Sequence, residues 1–193
     1  MIRHLLALLV LVTATATAAE HILLNDDFSD PAKEGRRASR GPWKFEGNVA
    51  SCTQDDELYK KFKDHGPIIF YDLDYTDAKI TFQVKAQGSK TVVFTCNNTG
   101  HVFRFVASSA GTSIRAFPPD GNPKSIQLAK GPSLAHDMWI PVTVDLRGAR
   151  VVLQIGTADP ISVEHPSFAT AKTNLSIGQS FGTLSVKDVL VTR

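Results

Sequence analysis

Asp72 and Asp74 are the two carboxylates of this sequence best spaced for acid–base chemistry. Residues i and i+2 of a strand share a face, roughly 6 to 7 Å apart. Hydrolysis of a glycosidic bond needs two carboxyl groups about 5 to 10 Å apart. Tyr71 and Tyr75 flank the pair, the one local grouping of aromatics with acids, and sugar rings stack on flat aromatic faces. The run from Asp72 to Asp77 reads equally as a polar edge between strands. Glu46 is a third acid, beside Trp43 and Phe45 on an expected strand, where it could face a sugar. Trp43 offers a further stacking surface, although it and Trp139 each open a strand and suit core or rim packing.

Cations form a second candidate group. Arg104 and Arg115 fall on successive strands of an expected hairpin, and two guanidiniums on one face could bind a carboxylate or a polyol. Exposed, solvated arginines are the plainer reading. His101 is also a candidate ligand-binding residue, but three residues separate it from Arg104, and a regular strand would turn the two to opposite faces. No histidine has a second one at metal-ligand spacing. Asp26, Asp27 and Asp188 lie on strands that could be neighbours, and such an oxygen cluster suits calcium. No cofactor is otherwise expected. Cys52 and Cys96 each sit in an alternating apolar stretch, which suits either a disulfide or plain burial.

The elements that must hold these residues are strands. Ile80, Phe82 and Val84 alternate with Thr81, Gln83 and Lys85; Val151, Leu153 and Ile155 alternate with Val152 and Gln154. Turn chemistry punctuates the chain at Gln87-Gly88-Ser89, Asn97-Asn98-Thr99-Gly100 and Arg147-Gly148-Ala149, at intervals near ten residues. The pattern predicts an all-β, antiparallel two-sheet sandwich with one helix-like stretch, Gln54 to Lys63, and a charged surface loop from Asp30 to Arg40. The first and last strand-like segments, Ile22 to Phe28 and Leu184 to Val191, have the right length to lie side by side, as the first and last strands of such sandwiches commonly do.

Ahead of the strands, Arg3 and His4 precede eight apolar residues, Leu5 to Val12, and Ala16-Thr17-Ala18 fits a small-x-small cleavage site. Residues 1–19 therefore read as a secretory signal peptide, 20–193 as one domain, and the location as secreted or periplasmic. No later segment approaches the roughly 20 apolar residues of a membrane span. Lys plus Arg is 21 against 19 for Asp plus Glu, without a basic cluster, so nucleic acid is not an expected partner. No nucleophile elbow or phosphate loop is present, and nothing selects an oligomeric state.

The order of short motifs then carries a resemblance. Asp27-Phe28, Trp43-Lys44-Phe45-Glu46-Gly47, Asp64-His65-Gly66, Phe70-Tyr71-Asp72, Gly100-His101-Val102-Phe103-Arg104, Trp139-Ile140-Pro141 and Ser167 to Thr173 follow one another. This resembles small exported bacterial proteins of the concanavalin A-like, LamG-type jelly roll, near the 3-keto-disaccharide hydrolase-like group. The resemblance implies sugars lying across one concave sheet. It also implies a ligand role for Lys172, which sits where relatives carry a lysine, although Thr170 and Ala171 replace their usual histidine and proline. The strict Glu-x-Asp-x-x-Glu signature of family 16 glycosidases is absent. A carbohydrate-binding or envelope-associated module is thus the leading expectation, beside a glycoside or 3-keto-disaccharide hydrolase using Asp72, Asp74 or Glu46, and a structural protein-interaction module.

Overall fold

Along Ala78–Gln87 every second side chain is buried and the others reach the surface, the signature of a strand with one face on a core. The same alternation recurs through the chain. A computed structural model describes residues 20–63 and 65–193; the expected signal peptide lies outside them. The strands are β1 (Ile22–Asp26), β2 (Arg36–Ser39), β3 (Lys44–Glu46), β4 (Val49–Gln54), β5 (Ile68–Tyr75), β6 (Ala78–Gln87), β7 (Thr91–Asn97) and β8 (His101–Ser108). They continue with β9 (Gly111–Ala116), β10 (Ile126–Gly131), β11 (Ile140–Arg147), β12 (Arg150–Ile155), β13 (Ile161–Glu164), β14 (Lys172–Ser180) and β15 (Gly182–Thr192).

One sheet runs β13-β12-β11-β6-β15-β4-β3; the other runs β10-β9-β8-β7-β14-β5-β2, and every pairing is antiparallel. As the chain ends predict, β1 pairs with β15, taking its C-terminal half while β4 takes the N-terminal half. Between the two, a bulge at Asp188 (φ 55°) breaks the register. The sheets close on an apolar layer in which Phe82 of one stacks at 5.5 Å on Phe94 of the other. The helix-like stretch forms α1 (Asp56–Lys61), capped by Asp55 through the Leu58 amide, with acids in its first turn and lysines in its last.

The segment expected to be a charged loop contains β2. Its Arg36 points inward, so the charge disguises a strand. Nη1 of Arg36 donates to both carboxylate oxygens of Asp26, at 3.0 and 2.8 Å, and both side chains are at most 2% exposed. The guanidinium lies 4.2 Å from the Phe45 ring and 5.2 Å from that of Phe28. Tyr71 donates its hydroxyl to the same carboxylate at 2.9 Å, and the Phe28 amide donates at 3.0 Å. Asp26 belongs to one sheet, Arg36 and Tyr71 to the other, so a buried ion pair staples the layers together.

Two expectations are corrected here. Cys52 and Cys96 are free and buried, on different sheets. The Cys52 carbonyl accepts from Gln179, whose rung partner Val92 is four residues from Cys96. That is about 13 Å along a strand, too far for a disulfide. Burial pushes the two thiols up to about 11 and about 12. The carboxylates Asp26, Asp27 and Asp188 do not converge as calcium ligands. Asp26 is consumed by Arg36, Asp27 turns to the Ser29 amide and hydroxyl, and Asp188 accepts from Gln83 on the outer face. Among the described residues no helix is long and apolar enough to cross a membrane.

Candidate functional site

β5 does not bring the suggested acids and aromatics to one face. Asp72 and Asp74 do share the outer face, but Tyr71 and Tyr75 alternate with them and are buried beneath the sheet. Asp72 is held by both Nε and Nη2 of Arg37, at 2.6 and 2.7 Å, which keeps its carboxyl below the usual range. Glu46 stands exposed on β3, an edge strand of the other sheet. Trp43 packs against the core and donates its indole N–H to the Ser39 carbonyl at 3.2 Å, so it is a packing residue.

Lys172 is likewise a structural residue. It is 1% exposed, and Nζ donates to the carbonyls of Thr76, at 2.7 Å, and Phe168. Burial lowers its pKa, with Cys96 and Asp77 opposing. A bulge between Lys172 and Asn174 turns the ammonium inward, where strict alternation from Leu175 would have turned it out.

The candidate site is the outer face of the seven-stranded sheet. There β5, β14, β7 and β8 floor a groove of about 920 Å³. Thr95, Asn97 and Ser176 present hydroxyl and amide groups between the apolar Phe70 and Val93. At one end Tyr59 of α1 meets Phe181 with ring centroids 4.5 Å apart, and Nζ of Lys90 lies 3.7 Å from the Phe181 ring. At the other end a hydrogen-bond chain is drawn tight. Asn97 donates to Asn174 at 2.8 Å and accepts from Nδ1 of His101 at 2.7 Å. Nε2 of His101 accepts from Nη2 of Arg104, and Nε of Arg104 donates to Thr95 at 3.3 Å. No carboxylate lines the groove among the described residues.

His101 and Arg104 therefore share a site, against the sequence expectation. Asn97 pairs with His101 while Cys96 pairs with Phe103, so Val102 is an extra residue in β8. It turns into the core, and the bulge re-aims His101 onto the outer face beside Arg104. The expectation that Arg104 and Arg115 share a face holds, since they are rung partners.

The network assigns His101 as neutral, protonated on Nδ1. Burial, then Arg104 and Lys124, hold its pKa down at about 4. The unfolded chain accordingly takes up this proton first as pH falls. The contribution of His101 to stability is complete above the ordinary histidine range and is lost as pH falls from that range to about 4. An NMR titration of the imidazole is expected to show a midpoint near 4. A midpoint at the ordinary histidine value would mean that Arg104 does not donate to it.

Comparison with known proteins bears on the fold. No family model matches the chain, and no curated protein does. Solved structures do. A non-specific endo-beta-1,3(4)-glucanase from family GH16 superposes with a TM-score of 0.65 at 9% identity, over 93% of each chain. The carbohydrate binding module CBM66 from Bacillus subtilis gives 0.59 at 12% identity, over 82% of this chain and 96% of that one. A carbohydrate esterase from Shiga toxin-encoding bacteriophage phi24B gives 0.58 at 12%, over 90% and 99%. The protein has the fold of a concanavalin A-like jelly-roll sandwich. At such identities the likeness is one of fold, and fold alone does not assign an activity.

Proposed function

We propose that the chain is an exported carbohydrate-binding β-sandwich that holds a saccharide in the groove across its seven-stranded sheet without cleaving it. The lining of the groove carries this reading: amide, hydroxyl, aromatic and cationic groups, and no carboxylate among the described residues. Glycoside hydrolysis by the usual route needs a flanking pair of carboxyl groups. Retention needs donors and acceptors for hydroxyls and a flat apolar face for the ring. Asn97, Thr95 and Ser176 supply the first, and Tyr59 with Phe181 the second. The carbohydrate-binding module and the glucanase of like fold support the same ligand class. Export rests on the leader-like pattern of residues 1–19.

A glycan array probed with the purified protein is expected to give saturable binders. Asn97→Ala and Phe181→Ala are each expected to weaken the best binder by about ten-fold, the scale of one lost hydrogen-bond partner or stacking face. No reducing sugar should be released. A blank array sinks the proposal, and sugar release abolished by Asp72→Asn would replace it with a hydrolase.

A further inference from the structure

Arg104 lines one end of the groove, and Arg115 is its rung partner on the adjacent strand, just outside the groove lining. Like charges directly opposite on a sheet face are destabilising, and Arg104 is half-buried as well. Arg36, Arg37 and Arg147 each meet a carboxylate. Among the described residues Arg104 and Arg115, like Arg150, hydrogen-bond only to neutral groups. Arg104 is oriented by Thr95 and His101 and lies 5.3 Å from the Phe117 ring, while Arg115 donates to the Ser125 hydroxyl at 3.0 Å. Lys124 adds a third cation beside His101 and Phe117, in an adjoining hollow of about 320 Å³. Cations thus gather at this end, Arg104 in the groove, Arg115 beside it and Lys124 in the adjoining hollow, with no carboxylate lining either among the described residues; Lys90 and Arg40 add positive charge elsewhere along the groove.

We propose that the missing counter-charge is an anionic group on the saccharide, a uronate carboxylate or a sulfate ester, received by Arg104 and Arg115. The guanidinium fork suits either group, because it can donate two parallel N–H bonds to a pair of oxygens. The inference rests on the saccharide-binding reading and adds the charge of the ligand to it.

The test is a calorimetric titration of the purified protein with matched oligosaccharides. The pairs are galacturonan against galactan, mannuronan against mannan, and glucuronan against glucan, with sulfated galactan as a further arm. At least one anionic member is expected to bind about ten-fold or more tightly than its neutral counterpart, with the gap narrowing at high salt. Which arm shows the gap distinguishes uronate from sulfate. Arg104→Gln and Arg115→Gln should each bring the ratio towards one. Arg115 is part-exposed on β9, one strand in from the edge, so its variant keeps the test decisive if Arg104→Gln fails to fold. Neutral chains bound as tightly as all anionic ones would overturn this inference and leave saccharide binding intact. No binding by any member would overturn both.

Discussion

Asp26→Ala is expected to lower the melting temperature by roughly 10 °C, corresponding to about 3–5 kcal/mol for a buried ion pair broken at one partner. The loss is large because one carboxylate serves Arg36, Tyr71 and the Phe28 amide together. Removing it leaves a guanidinium and a phenol buried without their acceptor, and frees the corner where the two sheets are stapled. Replacing both charges with apolar residues of similar volume, Asp26→Leu with Arg36→Met, should recover much of the loss, because no orphaned charge remains. Urea denaturation of the single and double variants measures this. A single variant within about 1 kcal/mol of the parent would show that the staple carries little.

Lys172→Ala is the second large effect. The ammonium donates to the backbone carbonyls of Thr76 and Phe168 and lies 5.9 Å from the Tyr75 ring, and the whole side chain is buried. Alanine leaves a cavity and takes the donor from both carbonyls, for a cost of about 3–5 kcal/mol. Lys172→Met keeps the volume and loses only the hydrogen bonds, so about 1–3 kcal/mol is expected. The same denaturation series decides between them. A methionine variant more stable than the parent would mean that burial of the charge outweighs its bonds, and that lysine is retained here for something other than stability.

Strict alternation made the sandwich legible, because side chains of period two must sort to two faces, while the pairing of β1 with β15 was expected from the habit of such sandwiches and not from the residue pattern. Alternation failed where the backbone departs from it. The extra residue Val102 and the irregularity between Lys172 and Asn174 each reverse the face of a polar side chain, one into the groove and one out of it. The turn Asn97-Asn98-Thr99-Gly100 signals a hairpin, but a bulge beside it leaves no mark in residue types. Asp72 and Asp74 misled for the opposite reason. Their spacing is right, but chemistry needs an unpaired acid in a cleft, and Arg37 was invisible as a partner 35 residues away. Asn97, Asn174 and Thr95 were readable only as the polar face of apolar strands. It takes the juxtaposition of β7, β8 and β14 to make them a network.

The two outermost described backbone pairs join His21 to Arg193 in both directions, at 3.2 and 2.9 Å, on the sheet that does not bear the groove. A tag, a fused protein or a surface attachment at either end of residues 20–193 is therefore joined to the layer opposite the groove, so the two ends can be anchored together without using the sheet that carries it.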